Sequence, residues 1–294
     1  MAVFAIVNRK GGTGKSTLAT HVASYLAECG EEVMLGDVDR QQSARMWLGL
    51  RPESRPKIHG WTIDERNFAR PPVGIKHVVL DTPGGFQGIA LMKVAMYADA
   101  IVVPSTPSLF DRRAAADCLK ELRQFPRVAL GKCRLASIGM RIDGRTKNAA
   151  VLEAWADDLG LEHLGTIKEA QIYPRCLEQG LSLFDFPRNR SFEGYLHEWA
   201  AITGWIDDVV AVQAGATQAV AEGMMPLPAA PVLTRQPGSG MGSGGLSVTP
   251  VLPRPSILSA ALVQRRAQAA SAVASGTSAA AVLSAGETRA FLRS

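Results

Sequence analysis

Four cysteines in 294 residues, Cys29, Cys118, Cys133 and Cys176, form no C-x-x-C pair and have no histidine nearby at ligand spacing. That scarcity leaves no basis for a disulfide framework or a thiolate metal site. With no secretory leader at the start, it reads as reduced thiols in a cytoplasmic protein. Long hydrophobic runs are missing too. The longest apolar stretches fall short of the roughly 20 residues that a membrane-spanning helix needs, and several carry charges, so no stable membrane insertion is expected. Charge of one sign is scarce in the part that reads as folded. The chain carries a formal +5, but six arginines against two glutamates lie after Val212, so the first 212 residues are nearly neutral. A strongly basic fold is excluded, and any nucleic-acid contact must come from a local patch or from the C-terminal stretch.

What is present begins at the second residue. The apolar run Ala2-Val3-Phe4-Ala5-Ile6-Val7 leads into Arg9-Lys10-Gly11-Gly12-Thr13-Gly14-Lys15-Ser16-Thr17, and a helical pattern follows. A buried strand, a glycine loop and a helix start are what an anion site requires, because successive backbone N–H groups and the helix N-terminus converge on one point. Gly11, Gly12 and Gly14 let the backbone wrap round phosphate oxygens, with Thr13 between them. Lys15 reaches the β- and γ-phosphates, and the Ser16 hydroxyl is a Mg²⁺ ligand. The general pattern G-x-x-x-x-G-K-[ST] is met except at its first glycine, where Arg9 stands.

Further along, Val33-Met34-Leu35-Gly36-Asp37 reads as a short buried strand that delivers Asp37 and Asp39 to its carboxyl end, where open α/β sheets bind ligands. The alternative reading of these acids is a helix cap and a turn residue. The stretch from Gly49 to Gly74 is rich in Pro, Arg and isolated apolar residues, and its detail is not legible. In Ile75-Lys76-His77-Val78-Val79-Leu80 apolar residues run into Asp81-Thr82-Pro83-Gly84-Gly85, an acid at a strand end placed to hold Mg²⁺ and a glycine pair that lets a switch loop move. Ala100–Pro104, Ala136–Met140 and His163–Ile167 read as further strands, the second weakened by Gly139. Helices are expected at 148–159, near 169–179 and at 191–203. Strands alternating with helices predict an α/β fold, doubly wound round a mainly parallel sheet. Composition shifts near Val212 to Ala, Gly, Ser and Pro, so residues 1–210 read as one domain and 211–294 as a low-complexity, mostly disordered tail.

The segments K-G-G-T-G-K-S-T, V-L-G-D-V-D-R-Q-Q, V-V-L-D-T-P-G-G and V-V-P-S-T-P-S-L-F-D follow one another in the order and spacing of the ParA/MinD ATPases, a family with a deviant Walker A phosphate loop. The resemblance covers about residues 1 to 205. It is nearest to short partition and cargo-positioning members without an N-terminal helix-turn-helix domain, because the loop starts almost at Met1. It implies ATP and Mg²⁺ as cofactors. Lys10 resembles the signature lysine inserted onto the nucleotide of a partner chain, and Lys15 the phosphate-loop lysine. Thr17 is a further phosphate contact, Asp39 the switch acid that positions the attacking water, and Asp81 the acid near Mg²⁺ beside Ser16. Arg40 stands where the family usually has proline. Met140 and Arg141 are implied as a wall of the adenine pocket.

The resemblance implies a switch in which ATP closes a homodimer and the dimer binds DNA without sequence preference. A ParB-like or cargo adaptor then stimulates slow hydrolysis, which releases the dimer from the nucleoid. Lys168, Arg175, Arg188 and Arg190 are the DNA-contact candidates, against an ordinary solvated basic face. Two other readings stay open. One is a membrane-associated positioning ATPase like MinD, the other a regulatory scaffold that binds nucleotide without hydrolysing it.

Overall fold

The computed structural model describes residues 1–39, 41–62, 71–186 and 190–221, apart from the side chains at 62, 190 and 218–221. Arg40, Arg188, the Arg190 side chain and residues 222–294 lie outside the described residues, and so does most of the expected tail. In chain order the elements are β1 (Ala2–Ile6), α1 (Lys15–Glu28), β2 (Val33–Asp37), α2 (Ser43–Leu50), β3 (Ile58–Thr62), β4 (His77–Asp81), α3 (Gly88–Tyr97), β5 (Ala100–Ser105), α4 (Leu109–Leu122) and α5 (Pro126–Ala129). There follow β6 (Arg134–Ile142), α6 (Asn148–Asp158), β7 (Glu162–Lys168), α7 (Ile172–Glu178), α8 (Glu193–Glu198) and α9 (Ala200–Ala221).

The seven strands form one sheet in the order β3-β2-β4-β1-β5-β6-β7, with every neighbouring pair parallel. β1, β2, β4 and β5 are buried along their whole length, as their unbroken apolar runs require of strands covered on both faces. The two faces follow from the two-residue repeat of a strand. Val3, Ala5 and Val7 join a core with Leu91, Val94 and Ala95 of α3 and Ala115, Cys118, Leu119 and Leu122 of α4, while α1 packs on β1, β2 and β4. Because all strands run one way, every loop after a strand emerges at the same edge of the sheet, and β1 lies between β4 and β5. The phosphate loop is therefore flanked by the loops that follow Asp81 and Ser105.

The structure adds to or changes the sequence reading at three places. The unreadable stretch 49–74 contains an edge strand, β3, which pairs with β2 from Val33↔Ile58 to Asp37↔Thr62. Gly139 does not end its strand, since β6 extends to nine residues, but the pairing with β7 shifts register on either side of it, and a Cβ there would meet Thr166 Cγ2 at 2.6 Å and Leu152 Cδ1 at 2.8 Å. Glycine is what lets α6 and β7 close on it. The helix expected at 191–203 is a 3-10 turn at Arg190–Phe192, then α8, then α9 running to Ala221. The sequence from Gln213 to Ala221 that follows the visible periodicity is rich in Ala and Gln, good helix formers that outnumber Gly215 and Thr217.

A buried aromatic cluster seats α1 and so fixes the phosphate loop at its start. His21 is fully buried, its ring stacked on Trp199 at 5.1 Å between centroids, with Nδ1 2.8 Å from the Thr17 carbonyl. Burial pushes its pKa down to about 4, against a smaller upward pull from the Thr17 carbonyl. The unfolded chain's imidazole takes up a proton near 6.5, so His21 contributes a loss of stability as pH falls from there towards 4. The expected result is an imidazole whose NMR shifts stay constant from pH 7 to pH 5. Titration with a midpoint near 6.5 would show the ring open to water.

Candidate functional site

Asn8, just beyond β1, anchors the phosphate loop. Its Nδ2 donates to the Pro104 carbonyl (2.7 Å) and its Oδ1 accepts from the Lys10 N–H (3.0 Å), from a wholly buried position. The loop ends at Gly14, whose φ of +86° begins α1 with no side-chain cap and no acid in the first turn. Met140 packs so closely that a Cβ on Gly14 would lie 2.7 Å from its Cε. The left-handed φ is what calls for glycine there, since the end of a methionine side chain can give way. The free N–H groups of the first turn and the positive end of the helix are left to an anion.

Two cavities flank this loop. One, of about 410 Å³, is lined by Gly11, Gly12, Gly14, Lys15, Ser16 and Thr17 with Asp39, Pro83, Gly84 and Arg141 among its other walls. The second, of about 590 Å³, lies towards the ends of β5 and β6 and shares Gly11, Gly12 and Arg141 with the first, adding Lys10, Thr106, Asp111 and Asn148 among others. Lys15 is buried and its Nζ donates to the Lys10 carbonyl at 2.9 Å. Burial pushes the ammonium below its usual range, and Asp81 and Asp39 pull it back.

The two lysines of the loop have different addresses. Lys15 points into the cradle. Lys10, whose side chain is 44% exposed, stands at the rim and forms an ion pair with Asp111 of α4, which also accepts from Thr106 Oγ1 at 2.6 Å.

The three acids divide equally clearly. Asp37 is committed to the loop that starts α2: one oxygen accepts from the Asp39 N–H (3.0 Å) and the other from the Arg45 N–H (3.1 Å). Burial raises its pKa, with the N–H groups of Arg45, Asp39 and Ala44 working against that. Asp81 is fully buried, and burial pushes it up to about 7, tempered by the Ser16 hydroxyl beside it and opposed less by Lys15. Neither of its oxygens completes a hydrogen bond of good geometry. Asp39 lines the cradle cavity, with Oδ1 accepting from the Gln41 N–H at 3.0 Å. A buried carboxylate with unmet lone pairs next to a hydroxyl is an oxygen donor set that suits Mg²⁺.

Of the expected site residues, Gly11, Gly12, Gly14, Lys15, Ser16, Thr17, Asp39 and Arg141 come together round one cavity. Thr13 is buried with its hydroxyl unpaired. Met140 is buried behind Gly14, and it is Arg141, at a left-handed φ of +56°, that forms a wall of both cavities. Lys168 pairs with Glu198 at 2.8 Å and Arg175 is half-buried on α7. Asn8, Asp111 and Glu121 escaped the sequence reading. A polar residue directly after a buried strand was the available signal for Asn8, and an acid in the first turn of α4 the signal for Asp111.

Residues 4–184 match the family described as the CobQ/CobB/MinD/ParA nucleotide binding domain. The chain belongs to this family. Among its relatives is the maintenance of carboxysome distribution protein A of Gloeobacter kilaueensis, 36% identical over 118 residues, which are 37% of this chain and 51% of that one. The chain thus matches about half the length of that relative. The chromosome-partitioning ATPase Soj of Thermus thermophilus is 28% identical over 186 residues, 51% of this chain and 73% of that one. In fold the chain is similar to the septum site-determining protein MinD of Pyrococcus horikoshii complexed with Mg-ADP. The TM-score is 0.54 at 16% identity, over 72% of this chain and 98% of that one. The sequence-level resemblance to ParA/MinD proteins and the α/β parallel-sheet class are thus both borne out.

Proposed function

We propose that this chain is an ATP-dependent dimerising switch with weak ATPase activity, which binds DNA without sequence preference and positions a cargo. The observation that carries the reading is the separation of Lys10 from Lys15. A nucleotide in the cradle already has Lys15 as its cation, so a second lysine at the rim is available to the nucleotide of another copy. In this reading Gly11, Gly12, Thr13, Gly14, Lys15 and Thr17 hold the phosphates of ATP. Ser16 and Asp81 would hold Mg²⁺, whose charge would offset that of the phosphates, and Arg141, a wall of both cavities, bounds the base, with Met140 packed behind Gly14.

The chain's own part in hydrolysis is positioning and electrostatics. The loop N–H groups and Lys15 fix the phosphates and stabilise the charge that develops on them, and Asp39 orients the attacking water and accepts its proton. Residues 1–210 are the switch domain in this reading and 211–294 its tail. Lys168, Arg175, Arg188 and Arg190 supply DNA contacts, and an adaptor of the ParB type sets the rate. Relatives named for chromosome partitioning and carboxysome distribution support a cargo-positioning role.

Lys10→Ala tests the assignment. The ammonium must leave Asp111 to act on a second chain, so the variant should bind ATP within about threefold of the parent yet sediment as a monomer, the loss of one cross-chain charge-assisted contact sufficing. An ATP-dependent dimer of normal mass in Lys10→Ala would assign Lys10 to its own chain.

A further inference from the structure

The general phosphate-loop pattern has glycine where this chain has Arg9, and the nucleotide cradle gives that arginine no task. The fold does. Its guanidinium pairs with one carboxylate oxygen of Glu121, near the end of α4, both side chains being mostly buried (28% and 19% exposed). The other oxygen of Glu121 accepts from the N–H of Gly88, the first residue of α3, at 2.7 Å. The N–H of Gly85 donates to the Arg9 carbonyl. Between these links Gly84 lies so near the phosphate loop that a Cβ on it would stand 3.2 Å from the Gly11 backbone. A closed ring results, running from the Arg9 side chain through Glu121 to the start of α3, back along the loop to Gly85, and into the Arg9 backbone.

The segment enclosed by this ring is the one that follows Asp81. It contains Gly84, Gly85 and Gly88, the last two at φ of +75° and +63°, so its own backbone does little to hold a single conformation. Gly84 lines the cradle cavity together with Gly11. An anion entering there meets Gly84 and Gly11 together, and the segment is tied to the Arg9 carbonyl at Gly85 and to Glu121 at Gly88, where α3 begins.

We propose that Glu121 is a positioning residue that, through Arg9, keeps the loop after Asp81 in register with the phosphate loop and transmits occupancy of the cradle to α3. The transmission rests on the nucleotide-switch reading, whereas the ring can be tested without nucleotide.

Hydrogen exchange on the full chain, compared among the parent, Glu121→Ala, Glu121→Gln, Arg9→Gln and the double variant Arg9→Gln/Glu121→Gln, tests both parts. Without nucleotide, Glu121→Ala should speed exchange at Gly85 and Gly88 about tenfold, as loss of a hydrogen bond to a charged group implies, and leave β1 and β4 unchanged. Glu121→Gln, which keeps an acceptor for the Gly88 N–H, should restore Gly88 in large part. With ATP, Glu121→Gln should hold its Kd within about threefold while turnover falls about tenfold, and the double variant should be no worse than either single one. Unchanged exchange at Gly85 and Gly88 in both Glu121 variants, or additive losses in the double variant, overturns the proposal. A parent that binds no ATP removes the switch reading alone, and the exchange pattern still decides the ring.

Discussion

Lys15→Ala is expected to raise the Kd for ATP by on the order of a hundredfold or more, because a buried charge-assisted contact to phosphate is worth about 3 kcal/mol. Lys15 is the cation of the cradle, with its Nζ on the Lys10 carbonyl and the acids Asp81 and Asp39 acting on it. Its removal also takes away a positive charge that acts on those two carboxylates, so a phosphate would meet a more negative site. The fold should survive, since a buried ammonium whose pKa is already pushed down by desolvation adds little to stability. Lys15→Gln separates charge from shape. It keeps a donor for the Lys10 carbonyl, and its affinity should fall nearly as far as that of the alanine variant. Calorimetry that finds ATP binding unchanged in both would remove the phosphate-loop assignment.

Asp39→Ala should leave ATP affinity within about threefold and lower turnover by about two orders of magnitude, the usual contribution of a positioned acid–base group. The geometry selects Asp39 from the three acids of the region. Asp37 has both oxygens occupied by backbone N–H groups, and Asp81 is buried beside Ser16, while Asp39 is a wall of the cavity itself. A chain that binds ATP but does not cleave it should accumulate as an ATP-bound dimer and stay on DNA, with an affinity that falls steeply with salt as counterions are released. Phosphate release at the parental rate in the presence of DNA and adaptor would return Asp39 to the role of a turn residue. A parent with no phosphate release under those conditions would favour the non-hydrolysing scaffold.

The legible part of this molecule is the part governed by local rules. The strand–glycine loop–helix unit at 2–28 was visible because anion binding needs those residue types in that order, and the central strands because burial on both faces demands unbroken apolar runs. β3 was hidden, since an edge strand gains its hydrogen bonds from a neighbour and needs no apolar run of its own. The length of α9 was hidden because a small-residue helix is stabilised by what it packs against, not by a visible stripe. In the site, the residues contributed by one loop were readable. Those that act across the sheet, Asp111 on Lys10 and Glu121 on Arg9, lie more than a hundred residues from their partners. No spacing rule joins them. Met140 shows the same limit: its neighbour Arg141 faces the cavities, and which of two adjacent residues does so depends on the backbone turn at the end of β6.

Whether ATP builds a dimer is read most directly from the mass of the full chain in solution, by light scattering, with Mg²⁺ and either ATP or ADP. The separate placement of Lys10 and Lys15 predicts about twice the monomer mass with ATP and the monomer mass with ADP, the Asp39→Ala variant holding the larger species longest. A chain that binds ATP with calorimetric heat yet keeps the monomer mass would contradict the dimerising switch.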